Sequence, residues 1–318
     1  MTRSLQRPLA IAALTALLAG PAAADGFSNA FFFGDSLSDT GNIYTLTGGS
    51  QPVSPYFTGR YSDGPVWVEY LAAGIGHADA ARASLQGGNN FAFGGALTGS
   101  GAIPSVLAQV GSFVNRPGAA DPNALYVVVA GGNDMRAARS GDPANIGAAA
   151  VAATDNLKTA LTLLAADGAR HVLLGNLPDL GFTPEAVALG LTGVSSQASA
   201  AFNALLGGVV SHGQSLGLTM SFFDLAGLSL AVRDDAFNNG GATYGITNVT
   251  TPCGAFPGSS GVSCSVSQFS DALHPSAVSH QYMGAAALAA VPEPAAYGLM
   301  ALGLGVVGFM ARRRRATA

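Results

Sequence analysis

Five short apolar runs, spaced along the chain and separated by longer helical stretches, constrain this fold more than any other feature. Residues 30–33, 90–93, 125–130, 171–174 and 219–223 each read as a strand, and the third, Leu-Tyr-Val-Val-Val-Ala, carries no charge. Helices are expected between and after them at 67–73, 103–114, 144–166, 195–216 and 277–290. Strands that are apolar on both faces and alternate with helices make a parallel sheet covered on both sides. The expected fold class is therefore α/β, a flavodoxin-like three-layer α/β/α domain around a parallel sheet of roughly five strands. Ligands in such folds bind beyond the carboxyl ends of the strands. The segment 236–270, rich in Gly, Asn, Ser and Thr, is long for a structureless loop and suits a wall or lid beside the substrate.

The two ends carry an address. Arg3 and Arg7 precede an apolar run at 9–18 and the small residues Ala22, Ala23 and Ala24, the pattern of a cleavable signal peptide over residues 1–24. A membrane anchor is the competing reading, but the run is short for a span. At the other end, Pro292-Glu293-Pro294 leads into an uncharged apolar stretch at 295–311 and then Arg312, Arg313, Arg314 and Arg315. An apolar span followed by arginines suits a helix stopped on the cytoplasmic side. The three parts in this order resemble the PEP-CTERM protein-sorting tail, over 291–318. That resemblance implies an exosortase-type partner, a transient membrane helix, and sorting to a bacterial cell surface or extracellular matrix. A plain C-terminal anchor is the alternative.

Between the ends lies the body, 25–290, long enough to bury a core as one domain. The whole chain has a net charge of −4, six of its arginines sit in the two ends, and its one lysine is Lys158. An acidic body without a basic stripe disfavours nucleic-acid partners. The two cysteines, Cys253 and Cys264, sit close together, and export to an oxidising compartment would pair them in a disulfide. Two free thiols are the alternative; zinc is disfavoured because no histidine pair accompanies them.

Four stretches can carry chemistry. Gly34-Asp35-Ser36-Leu37-Ser38-Asp39 follows the first strand, which exposes Ser36 at the carboxyl edge of the sheet; a helix-capping serine is the plain alternative. Asn90 to Ala96 ends in Gly94-Gly95, where a backbone can approach a ligand or simply turn. Gly131-Gly132-Asn133-Asp134 follows the third run, and Asn133 has the side-chain amide an oxyanion needs, or that a turn needs. In Asp271-Ala272-Leu273-His274, the carboxylate can reach His274 Nδ1 across one turn and leave Nε2 as a base, or the two can be a surface pair.

Taken together and in this order, FFFGDSLSDTGN, NFAFGGA, GGND and DALHPS resemble the blocks of the GDSL esterase/lipase family, also called SGNH hydrolases. GRYSDGPVWVEYLA, at 59–72, matches a further stretch common in one branch of that family. The resemblance implies Ser36 as nucleophile, His274 as general base and then acid, and Asp271 as its orienting carboxylate. It implies an oxyanion hole made by the backbone N–H groups of Ser36 and Gly95 and the amide of Asn133. No metal or cofactor is expected. The expected function is a secreted serine esterase or lipase acting on acyl lipids, aryl esters or acetylated polysaccharides through an acyl-enzyme. Only neutral His274 can act as the base, so activity is expected to rise with pH. Acyl transfer with the same triad, or an inactive matrix protein on the same fold, are the alternatives.

Two motifs are set aside. Gly213-Gln214-Ser215-Leu216-Gly217 fits a nucleophile elbow but runs helix to strand, the reverse of what that elbow needs. Gly303 to Gly308 fits a dinucleotide fingerprint, but inside the apolar tail. His77, His171, His212 and His280 are expected to be structural.

Overall fold

The computed structural model describes residues 26–291. The expected signal peptide and sorting tail, and the Gly303 to Gly308 motif within it, lie outside those residues. The strands of the main sheet are β1 (Ala30–Gly34), β2 (Leu125–Val129), β3 (His171–Gly175) and β4 (Thr219–Phe223). They pair in the order β1-β2-β3-β4, all parallel, with Phe31 opposite Tyr126, Tyr126 opposite Val172 and Val172 opposite Met220. A two-stranded parallel sheet, β5 (Asn248–Pro252) with β6 (Ser267–Phe269), lies apart from it. The helices are α1 (Asn42–Leu46), α2 (Trp67–Gly74), α3 (Val106–Val114), α4 (Gly132–Arg139), α5 (Ile146–Asp167), α6 (Pro184–Ala188), α7 (Thr192–Ser215), α8 (Leu225–Asn238) and α9 (Ala277–Ala290).

The period of a strand sorts the core into two layers. Phe31, Phe33, Tyr126, Val128 and Leu174 face one way and pack against α3, α5 and α7. Ala30, Phe32, Val127, Val129 and Leu173 face the other way and pack against Trp67 and Leu71 of α2 and Met283 and Ala287 of α9. This is the α/β/α architecture, with helices covering both faces of the parallel sheet.

Two expectations change. The run 90–93 is not a regular strand. Phe91 N–H donates to Phe32 O and Phe32 N–H to Asn89 O, as a fifth strand would require, but only Asn90 forms a bridge to β1. The Gln109 side chain of α3 takes one ladder position on β1: its Oε1 accepts from Gly34 N–H at 2.9 Å, and its Nε2 donates at 2.8 Å to Gly34 O, which also accepts from Phe93 N–H at 3.3 Å. A side-chain amide thus replaces one strand-to-strand bond at the end of β1, and the main sheet has four regular strands. The helix expected from 103 begins at Val106, because Pro104 precedes it and Ser105 caps it through Ala108 N–H. The segment 236–270 contains the end of α8, β5, β6 and the link between them, and Gln268 and Phe269 at its end line the cavity beside Ser36. Helices α4 and α8 start directly after strands, within stretches too polar or too short on apolar periodicity to stand out in the sequence.

Gln109 is 1% exposed, and it satisfies the backbone one residue before the Asp35-Ser36 turn. Replacing it by leucine keeps the volume and leaves Gly34 N–H buried without an acceptor. Urea unfolding of Gln109→Leu is expected to show a loss of about 1–3 kcal/mol.

Candidate active site

The turn after β1 is built on two aspartates. Asp35 O accepts from the N–H groups of Ser38 and Asp39, and Asp35 Oδ1 from Leu37 N–H at 3.0 Å. Asp39 then turns its carboxylate back: Oδ1 accepts from Gly41 and Asn42 N–H, and Oδ2 from Ile43 and Gly94 N–H. The start of α1 and the Gly94-Gly95 loop are thereby fixed to the turn that carries Ser36. A Cβ on Gly94 would collide with the Tyr61 ring, so only glycine fits this approach.

The next loop is tied to α4. Asn133 Nδ2 donates to Ala96 O at 3.0 Å, and Asp134 accepts from Thr98 N–H and Thr98 Oγ1. Gly95 therefore sits between two tethers, Gly94 held by Asp39 and Ala96 held by Asn133. Gly94 N–H is engaged, whereas neither Gly95 N–H nor Ser36 N–H meets an acceptor among the described residues. The Asn133 amide keeps its second N–H after serving Ala96.

The last block lies between β6 and α9. Its ends are fixed by Ser270 N–H donating to His274 O and by Ser276 N–H donating to Gln268 O, and Ser276 caps α9. Asp63, from the stretch 59–72, accepts from Ser270 Oγ and from Ala277 N–H, which holds this block against the loop before α2. Glu185, the carboxylate shared by Arg136 and Arg139, belongs to α6, whose Glu185 N–H donates to Ala272 O.

Within this frame the structure brings Ser36, His274 and Asp271 together. His274 Nε2 lies 2.9 Å from Ser36 Oγ, and His274 Nδ1 lies 2.7 Å from Asp271 Oδ2. Asp271 Oδ1 accepts from the backbone N–H groups of Leu273 and His274, and Tyr56 O–H donates to Oδ2. Burial alone would raise the Asp271 pKa, but the His274 charge, the His274 ring and backbone donors and Tyr56 outweigh it and hold it at about 2. An ionised carboxylate only accepts, so Nδ1 carries the proton and Nε2 is left to accept from Ser36 Oγ–H. Tyr61 lies against His274, ring centroids 5.2 Å apart.

A cavity opens beside this relay, with Ser36, Asn133 and His274 on its wall. The rest of its wall is mainly apolar, including Leu177, Leu180, Leu225, Leu228, Val232 and Met283. Cys253 and Cys264 are joined in a disulfide with Cα atoms 4.9 Å apart. Asp63 lies close to both sulfurs, but paired sulfurs are not thiolate ligands, and this cluster does not suit a metal.

The other histidines are engaged elsewhere. His77 Nε2 meets Phe27 O, His212 Nε2 meets Thr162 Oγ1, and His171 opens β3. His280 is fully buried, and its Nδ1 accepts from Trp67 N–H. Burial lowers its pKa to about 3, so it is neutral. Ser215 ends α7 and is exposed ahead of β4, helix before strand. Tyr56, Asp39 and Gln109, whose side chains hold the site's loops and the end of β1, are not marked by any pattern in the sequence that points to those contacts. Asp39 stood inside a motif block; Tyr56 stood in a loop with no periodic pattern to mark it.

A Ser-His-Asp relay at the carboxyl edge of a parallel α/β/α sheet defines the class: a serine hydrolase arrangement. The chain belongs to the GDSL-like lipase/acylhydrolase family, whose model matches residues 31–287. Residues 290–315 match the PEP-CTERM protein-sorting motif, a tail of the kind that directs export and surface sorting in bacteria. Among known proteins, the chain is 33% identical over 183 residues to a phosphatidylcholine-sterol acyltransferase of Aeromonas hydrophila, covering 57% of this chain and 53% of that one. It is 30% identical over 246 residues to esterase EstA of Pseudomonas aeruginosa, covering 65% of this chain and 37% of that one. It is 31% identical over 199 residues to lipase 1 of Photorhabdus luminescens, covering 58% and 28%. These matches span between roughly a quarter and half of the relatives' own lengths. A crystal structure of a lipolytic G-D-S-L family member from Veillonella parvula aligns with a TM-score of 0.43 and 16% identity, over 82% of this chain and 96% of that one. Among the described residues no helix is long and apolar enough to cross a membrane.

Asp35, next to Ser36, is 5% exposed, and burial raises its pKa to about 6. The folded protein therefore holds this proton more tightly than the unfolded chain. The penalty is absent below about pH 4, grows as pH rises, and is complete above about pH 6, where it is worth roughly 3 kcal/mol. Asp35→Asn is expected to gain stability at pH 7.5 and little at pH 4, measured by urea unfolding at both.

Proposed function

We propose that this chain hydrolyses carboxylic esters through an acyl-enzyme on Ser36. The observation that carries the reading is the continuous relay from Ser36 Oγ through His274 to Asp271, at 2.9 and 2.7 Å. Ser36 Oγ attacks the ester carbonyl while His274 Nε2 takes its proton, and Asp271 orients the ring and offsets the imidazolium charge. The oxyanion accepts from Ser36 N–H, Gly95 N–H and the second N–H of Asn133. Collapse breaks the ester C–O bond, and His274 returns the proton to the departing alcohol. Water, deprotonated by the same nitrogen, then releases the acid and restores Ser36. No metal or cofactor enters these steps.

The apolar cavity beside Ser36 favours an ester with a hydrocarbon acyl group over an acetyl ester, since burying each methylene contributes about 0.8 kcal/mol. A second reading, transfer of the acyl group to an alcohol other than water, is favoured by the match to the Aeromonas acyltransferase. It uses the same residues and differs only in what enters the deacylation step. An inactive matrix protein is disfavoured by the intact relay. The reading assigns residues 1–24 to a signal peptide, 25–290 to the hydrolase domain and 291–318 to a sorting tail with a membrane helix. Through that tail an exosortase-type enzyme would process the chain for the cell surface or extracellular matrix of a bacterium.

Nitrophenyl esters of increasing chain length test it. Ser36→Ala is expected to abolish turnover; an undiminished rate would end the proposal. Asn133→Ala is expected to lower kcat by about 10²–10³. Activity is expected to rise from acetate to longer acyl chains, and Leu228→Trp, which fills the cavity, to move the preference back towards short ones. Added alcohol, with product analysis, separates hydrolysis from transfer.

A further inference from the structure

We propose that Tyr56 is a positioning residue for the relay, fixing the Asp271 carboxylate so that its Oδ2 offers His274 Nδ1 one direction of approach. The inference rests on the acyl-enzyme reading above and extends it to a residue on a different loop.

The geometry gives Asp271 four donors. Oδ1 is taken by Leu273 N–H at 2.7 Å and His274 N–H at 2.5 Å, which fixes that oxygen to its own loop. Oδ2 faces the reaction, and it is shared by the His274 ring and the Tyr56 hydroxyl. A carboxylate oxygen has two lone-pair directions. With Tyr56 on one, the imidazole is confined to the other, and Nε2 is thereby aimed at Ser36 Oγ.

Tyr56 is held in turn. Its N–H donates to Val53 O, and the following Phe57 N–H donates to Ser62 O, which closes the loop. Its ring meets Phe256 edge-on at 4.9 Å and Tyr61 at 5.9 Å, and Phe256 is 4% exposed. Tyr61 also lies against the His274 ring. One aromatic cluster therefore supports both members of the Asp-His pair, from loops far apart in sequence.

The hydroxyl has an electrostatic effect as well. By donating to Oδ2 it helps keep Asp271 ionised and spreads the charge that stabilises the imidazolium. Without it, the carboxylate charge falls more fully on His274, and the acid limb of the rate profile moves to higher pH. The other titratable groups around the pair are Asp35, Tyr61, Arg136 and His280, and none is altered by the substitution.

The test is Tyr56→Phe in the full-length chain, with Ser36→Ala alongside. Phenylalanine keeps the ring contacts and removes only the donor. The expected result is a kcat lower by roughly tenfold to a hundredfold, a KM within twofold, an acid limb displaced upwards, and a shifted Nδ1 proton resonance of His274. Wild-type kcat and pH profile in Tyr56→Phe, with Ser36→Ala inactive, would overturn this inference and leave the acyl-enzyme reading standing. Full activity in Ser36→Ala would overturn that reading, and this inference with it. Should Tyr56→Phe fail to fold, Phe256→Leu carries the same test. It loosens the ring without touching the hydroxyl, and an unchanged kcat there would count against the inference.

Discussion

The buried carboxylate of Asp39 accepts from four backbone N–H groups, and the arrangement of the site depends on it. Asp39 is fully buried and has no cation among its partners; burial raises its pKa, and only peptide N–H groups oppose that. Those dipoles come from two separate places, the start of α1 and the Gly94-Gly95 loop. One acceptor thus sets the distance between the turn that carries Ser36 and the loop that carries Gly95. A neutral side chain in its place would leave several N–H groups unsatisfied at once, a much larger loss than that of a single surface pair.

Two other aspartates show how environment divides one residue type into different roles. Asp271 is surrounded by donors and stays ionised, its pKa held at about 2 against burial. Asp35, beside Ser36, has one backbone donor to Oδ1 and is pushed up to about 6 by burial. Asp39, with four backbone donors and no cation beside it, is also raised by burial, so what sets Asp271 apart is the neighbouring His274 charge. The ionised carboxylate is the one on which the histidine rests. The other is a desolvated neighbour whose cost is carried by the surrounding fold.

The sequence made the layers and the relay legible because both rest on local signals. Apolar runs mark β1 to β4 to within a residue or so, and the family blocks mark Ser36, Asn133, Asp271 and His274 directly. What escaped was non-local. The run at 90–93 reads as a strand, yet a glutamine from α3 takes Gly34 N–H at the end of β1 in its place, and that exchange has no signature in either segment. Helix α8 has apolar residues on the cavity side and Leu230 and Phe237 exposed on another, so its pattern is blurred. Tyr56 stands in a loop of Pro, Ser and Thr, and its partner lies 215 residues further on. Composition and periodicity cannot report such a contact; only the folded loops do.

Ser36 and His274 are 238 residues apart in the chain. All four strands of the main sheet are complete by Phe223, and His274 arrives some fifty residues later, just ahead of α9. A chain made or threaded from its N-terminus can therefore assemble the main sheet and the turn that carries Ser36 before His274 is present. On the proposed mechanism the serine gains its base only once the loop between β6 and α9 is in place.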